Sequence, residues 1–216
     1  VNTLEAWLKK LEDQHKPDEV VFLGDYFDRF HDTPENAKVT ATWLKQSLGK
    51  PNRIHLLGNH DMPYMVPGNS FLWCPGFSKD KCRAVAEVMT QEDWDKLRPA
   101  YFTNEWLLSH AGFHPHLVEH PVTGIPDAAG LIALAEEGLK AVKGGLAHPL
   151  FQYGDRMGES QIGGITWLDW YAEFVPLDGF SQIVGHTRTS FPIKMEDNWL
   201  IDCELKELAL ITNGNV

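Results

Sequence analysis

This sequence is short of the features that mark a membrane, secretory or nucleic-acid-coating protein. No apolar run reaches the roughly 18 residues that a membrane span needs. No segment joins a basic start, an apolar middle and a small-residue cleavage site, although the chain opens on Val1 rather than on an initiator methionine. Cysteine is scarce: the three thiols, Cys74, Cys82 and Cys203, cannot pair completely. Cys74 and Cys82 are too few, and wrongly spaced, for a structural zinc cluster. The expectation is a cytoplasmic protein with reduced thiols. Positive charge is also thin, with 19 Lys and Arg against 30 Asp and Glu and a formal net charge of -11. Such a chain lacks the broad cationic field that holds polymeric nucleic acid. Internal repeats of about 20–50 residues and low-complexity tracts are missing too.

What remains is ordinary for a globular protein: 43% hydrophobic and 23% charged residues over 216 positions. That length fits a single domain over residues 1–216. Four short apolar runs, at 20–23, 54–57, 106–108 and 182–184, each stop at a small residue followed by a polar one. They lead into Gly24-Asp25, Gly58-Asn59-His60-Asp61, Ser109-His110 and Gly185-His186. Runs of this length bounded by Gly or Ser read as buried strands.

Helical spacing fills the intervals. Leu4, Trp7, Leu8 and Leu11 repeat at three and four, as do Val39, Trp43 and Leu44, and an Ala/Leu/Glu-rich helix is expected over 128–142. Thr33-Pro34-Glu35 has the makings of a helix start: a capping hydroxyl, a first-turn proline and an acid near the positive dipole end. Strands alternating with helices predict an α/β chain with a largely parallel sheet. In such sheets ligands gather at the carboxyl ends of the strands, which is where all four polar blocks fall. The loops at 63–76 and 115–126 are long enough to shape a substrate.

Those blocks hold metal-capable side chains. Asp25 offers a carboxylate able to bridge two cations, Asn59 a neutral carbonyl oxygen, and His110 and His186 imidazole nitrogens. One carboxylate, one amide and two imidazoles suit manganese, iron, zinc or nickel better than calcium or magnesium. A structural alternative stands beside each: an acid capping a helix, an amide holding a turn. His114, His116, His120 and His148 lack strand-end placement and read as surface histidines. The eight Trp residues read as core, and Gly163-Gly164 as a turn before a strand.

Taken in order, Gly24-Asp25-Tyr26-Phe27-Asp28-Arg29, Gly58-Asn59-His60-Asp61, Ser109-His110-Ala111-Gly112 and Gly185-His186-Thr187 resemble the calcineurin-like metallophosphoesterases over residues 20–205. The resemblance is strongest to the Ser/Thr protein phosphatase and diadenosine-tetraphosphatase branch. It implies a β-sandwich flanked by helices, with the metal centre at the strand ends. It also implies hydrolysis of a phosphoester or phosphoanhydride by a metal-activated water.

In that reading Asp25, Asn59, His110 and His186 form one metal position, and Asp25 is shared with a second, manganese being the favoured ion. His60 resembles the family's general acid, Asp28 the carboxylate that orients it, and Arg29 a phosphate contact. Gly154-Asp155-Arg156-Met157-Gly158 is similar to the phosphatase Asn-Asp-Arg-Gly segment, so Arg156 becomes a second phosphate contact and Arg188 a third. The implied substrates are phosphorylated small molecules, dinucleotide polyphosphates or phosphoproteins.

The family's opening Asp-x-His block has no counterpart before Asp25. Asp13-Gln14-His15 has the letters but follows a helical pattern rather than a strand. The expectation is a further strand upstream of Val1. A catalytically impaired binding or regulatory protein on the same fold, and a nuclease or phosphodiesterase, which the acidic charge disfavours for polymers but not for cyclic nucleotides, stand as the rival readings.

Overall fold

A computed structural model describes residues 2–29, 31–212 and 216. Contacts divide the chain into two compact units, one from Val1–His55 with His60–Leu97 and the other from Leu56–Asn59 with Arg98–Val216. Each has its own sheet.

The first unit begins with helix α1 (Asn2–His15), strand β1 (Val20–Phe22), helix α2 (Pro34–Ser47) and strand β2 (Arg53–His55). β1 and β2 pair in parallel, Val21 opposite Ile54, a geometry that requires a crossover between them; α2 supplies it. Its start is the one expected, with Thr33 Oγ1 accepting from the Asn36 amide at 3.2 Å and Pro34 in the first turn. Its buried face is Ala37, Ala41, Trp43, Leu44 and Ser47, whereas Val39 points to solvent. Three short helices follow: α3 (Met62–Met65), α4 (Lys79–Ala86) and α5 (Gln91–Trp94). α4 lies against α2, tied by a Lys38–Glu87 ion pair and by Lys45 Nζ donating to the Val88 carbonyl at 2.8 Å. Arg53, its guanidinium fully buried, holds Glu5 and Glu12 of α1 onto the end of β2.

The second unit holds strands β3 (Ala100–Thr103) and β4 (Trp106–Ser109), helices α6 (Pro115–Val118) and α7 (Ala128–Lys143), and strands β5 (Ser181–Val184), β6 (Ile193–Met195) and β7 (Asn198–Leu200). The sheet order is β3-β4-β5-β7-β6. β4, β5 and β7 run parallel, and antiparallel hairpins close both edges. Asn104 and Glu105, both at positive φ (47° and 71°), make the tight β3–β4 turn, whose backbone matches the strand twist. All four β4 residues are buried, as a parallel central strand should be. The buried Gln182 within β5 is satisfied by the Phe113 backbone, accepting from its amide at 2.8 Å and donating to its carbonyl at 3.1 Å. α7 runs close to its expected span, capped by Asp127, whose Oδ1 accepts from the Gly130 amide at 2.8 Å.

No strand follows Gly163-Gly164; Ile165 to Trp167 form a buried turn instead. Both backbone groups of Ile165 are taken by distant segments, its N–H donating to Leu150 O and its carbonyl accepting from Ala111 N. A Cβ at Gly164 would meet the Leu150 backbone at 2.3 Å. Close backbone approach, rather than a turn type, sets that glycine. His114 is buried, not superficial. Its Nδ1 accepts from the His116 amide at 3.1 Å and so caps α6, and His148 does the same for the turn at Pro149–Phe151.

Candidate metal centre and proton donor

Parallel pairing of β4 with β5 brings the residues beyond their carboxyl ends to one edge of the sheet. His110 and His186 stand there, tied by the Gly185 amide donating to the His110 carbonyl at 2.8 Å. Asn59 reaches them from the segment where Leu56 bridges Arg98. His110 Nε2 lies 3.1 Å from Asn59 Oδ1 and 3.1 Å from His186 Nδ1. All three residues are buried. His186 holds a left-handed backbone (φ 64°), a conformation costly for a non-glycine residue and concentrated at functional sites.

Two acceptor atoms, Asn59 Oδ1 and His186 Nδ1, converge on His110 Nε2, whose single proton serves at most one of them. A cation satisfies all three. With metal–ligand bonds of about 2.1 Å, donors at right angles lie about 3.0 Å apart and donors at the tetrahedral angle about 3.4 Å apart. The observed 3.1 Å lies between these values, so the three atoms are spaced as ligands that could share one ion. The two imidazoles and the amide oxygen suit a divalent transition metal.

Arg156 is anchored beside this group: Nη1 donates to the His186 carbonyl at 3.0 Å, and Nε lies 3.7 Å from Asp169 Oδ2. Arg188, two residues beyond His186, is exposed.

The first unit assembles a second group, around His60. Beyond β1 the chain turns through Gly24, Asp25 and Asp28, all at positive φ (95°, 59° and 64°). Asp61 holds that turn, its two oxygens accepting from the Asp25 and Tyr26 amides at 2.9 and 2.8 Å. Asp25 Oδ1 accepts from the His60 amide at 3.0 Å. His60 Nδ1 faces Asp28 Oδ2 at 3.4 Å, so the structure brings these two residues together, and Nε2 is the other ring nitrogen. Asp28's other oxygen accepts from Tyr64 Oη at 2.6 Å and from Lys81 Nζ.

Asp28 is wholly buried at its carboxylate. Burial works against its charge, yet the bonds from His60, Lys81 and Tyr64 outweigh it and hold the carboxyl below its usual range. Burial also opposes a charged His60. The Asp28 bond and the charges of Asp25, Asp28 and Asp61 outweigh that too, and its pKa is raised. Arg29, next in sequence, is exposed.

Lys81, Tyr64 and Asp61 were not singled out by sequence. Asp61 adjoins His60 and carried a local signal, an acid inside a polar strand-end block. Lys81 carried none, because a lysine on a short polar helix reads as solvated.

The Metallophos profile, described as calcineurin-like phosphoesterase, matches residues 1–200. Among solved structures, a cold-active protein-tyrosine phosphatase of a psychrophilic Shewanella species is similar with a TM-score of 0.50 at 15% identity, over 85% of this chain and 60% of that one. A mutant cold-active protein tyrosine phosphatase gives 0.50 at 16%, over 85% and 60%. The chain thus spans about 60% of the length of those structures, and at such identity the likeness speaks for the fold alone. No curated protein matches the sequence. With a mixed α/β fold, metal-capable groups at the strand ends and a profile match over nearly the whole chain, the protein belongs to the calcineurin-like phosphoesterase family.

Proposed function

We propose that this chain hydrolyses a phosphoester or phosphoanhydride, with Asn59, His110, His186 and Asp25 as the ligands of a divalent transition metal, manganese being favoured. The convergence of Asn59 Oδ1 and His186 Nδ1 on His110 Nε2, each at 3.1 Å, is the observation that carries this reading. Asp25 joins the set on the family's Gly-Asp block rather than on a distance. A metal bound there polarises the phosphoryl group and lowers the pKa of water toward ~7.

The rest is done by side chains. His60, held by Asp28 through Nδ1, donates a proton from Nε2 to the leaving oxygen. The buried Asp28 carboxylate beside it favours the protonated ring that such a donor needs. Arg156, Arg29 and Arg188 contact phosphate oxygens, for which a guanidinium fork is suited. Substrates of the Ser/Thr phosphatase and diadenosine-tetraphosphatase branch are the ones to assay: phosphorylated small molecules, dinucleotide polyphosphates and phosphoproteins.

The test is p-nitrophenyl phosphate hydrolysis with and without Mn²⁺, in the wild type and in Asp25→Asn. Metal-stimulated turnover that Asp25→Asn abolishes is expected. Metal binding without turnover on any of these substrates would instead favour a catalytically impaired binding protein.

A further inference from the structure

Cys74 sits between α3 and α4 in the first unit, beside the proton-donor group. Its Sγ lies 3.4 Å from His60 Nδ1, which lies 3.4 Å from Asp28 Oδ2. One donor atom from each of the three residues falls within 4.8 Å of the others. Neither contact is a short hydrogen bond, since N–H···O bonds centre near about 2.9–3.0 Å. Around a tetrahedral zinc with bonds of about 2.3 Å to sulfur and about 2.0–2.1 Å to nitrogen and oxygen, neighbouring ligand atoms stand about 3.3–3.6 Å apart. Both 3.4 Å separations lie in that range.

The donors differ in kind from those around His110. Thiolate, imidazole and carboxylate select softer ions than the amide and imidazoles of the other group. Asp28 keeps an oxygen for this use, because Lys81 and Tyr64 both bind Oδ1 and leave Oδ2 toward His60. The access route is His60, whose side chain is 24% exposed.

We propose that Cys74, His60 and Asp28 form an inhibitory site for zinc. On binding, the thiol and Nδ1 would each give up a proton to solvent, sulfur, nitrogen and Asp28 Oδ2 would bond the ion, and His60 would lose its Nδ1–H contact with that carboxylate. Occupancy of the site stands independently of the catalytic reading; inhibition rests on it. Oxidation is the weaker use of this thiol. Burial, then the charges of Asp28, Asp25 and Asp61, push its pKa well up, and a protonated buried thiol reacts slowly.

Cobalt is the probe, because a sulfur-to-cobalt charge-transfer band in the near ultraviolet reports a thiolate ligand and the nitrogen/oxygen group yields none. Co²⁺ titrated into the Mn²⁺-loaded protein is expected to raise that band in the wild type, Cys82→Ser and Cys203→Ser. It should be lost in Cys74→Ser and Cys74→Ala, and bleached by Zn²⁺. In the unaltered protein, Zn²⁺ should also slow alkylation of Cys74 but not of Cys82, read by peptide mass spectrometry. No band, a band that survives both Cys74 variants, or unaltered Cys74 alkylation would overturn the site. With p-nitrophenyl phosphate, the Zn²⁺ concentration for half-inhibition, each protein scaled to its own rate, should rise about tenfold or more in Cys74→Ser. An unchanged value beside a Cys74-dependent band would overturn the inhibitory role alone.

Discussion

At the scale of single residues, the proposed proton donor, His60, is tested by removing its proton. His60→Asn keeps the side chain's size but removes the transferable proton. Turnover is expected to fall roughly 100- to 10,000-fold with Mn²⁺ affinity unchanged, as steady-state rates and calorimetry would show; a normal rate would end the assignment. Lys81 acts one contact further out. Its side chain is 6% exposed and its partner carboxylate 0%, so Lys81→Met strands a buried charge and should cost about 3–5 kcal/mol. Adding Asp28→Asn should recover part of that loss in urea melts, because the stranded charge is then gone.

His55 gives a pH signature. Burial, then the neighbouring Arg53 charge, lower its pKa from 6.5 to about 3, and its ring is held by Tyr26 Oη and Ser47 Oγ, both at 2.9 Å. Below pH 6.5 the unfolded chain takes up a proton at His55 that the folded chain refuses until about pH 3. The contribution is therefore whole above 6.5 and shrinks across that window, by at most about 1.4 kcal/mol per pH unit. His55→Gln should flatten this slope in urea midpoints measured against pH. An unchanged slope would show that His55 does not titrate this way.

At the scale of elements, caps and close approaches decide. Thr33→Ala removes the Oγ1 acceptor at the start of α2 and should cost about 1 kcal/mol. Gly164→Ala should be worse and should lower the melting temperature more, since backbone at 2.3 Å has no rotamer with which to yield. Four strands were legible beforehand because each is an apolar run ending at a small residue and a metal-capable one, α2 because its cap and spacing agree, and α7 because its Ala/Leu/Glu-rich run favours a helix. β3 and β6 were not. Ala100-Tyr101-Phe102-Thr103 and Ile193-Lys194-Met195 end on no such residue, and they are edge strands whose pairing depends on neighbours far along the chain. The pairing of His60 with Asp28 could be read from the family pattern. The support of Asp28 by Tyr64 and Lys81 could not, being made by helices 36 and 53 residues away. Gly76 belongs with them: its φ is +97°, and a Cβ there would meet Asp28 Cβ at 2.9 Å. That is a constraint of tertiary packing rather than of local pattern.

At the scale of the whole molecule, a net charge of -11 attracts divalent cations, and a ligand bound only by the folded state must stabilise it. Mn²⁺ at 100 times its dissociation constant should add about 2.7 kcal/mol, seen as a rise in melting temperature that a chelator reverses. The most direct test of the metal centre is calorimetric titration of Mn²⁺ into the wild type, His110→Ala and His186→Ala, with circular dichroism to check that each is folded. Saturable binding in the wild type, weakened about 100-fold or more in both variants, is the result the geometry predicts. Equal Mn²⁺ affinity in all three proteins would contradict it.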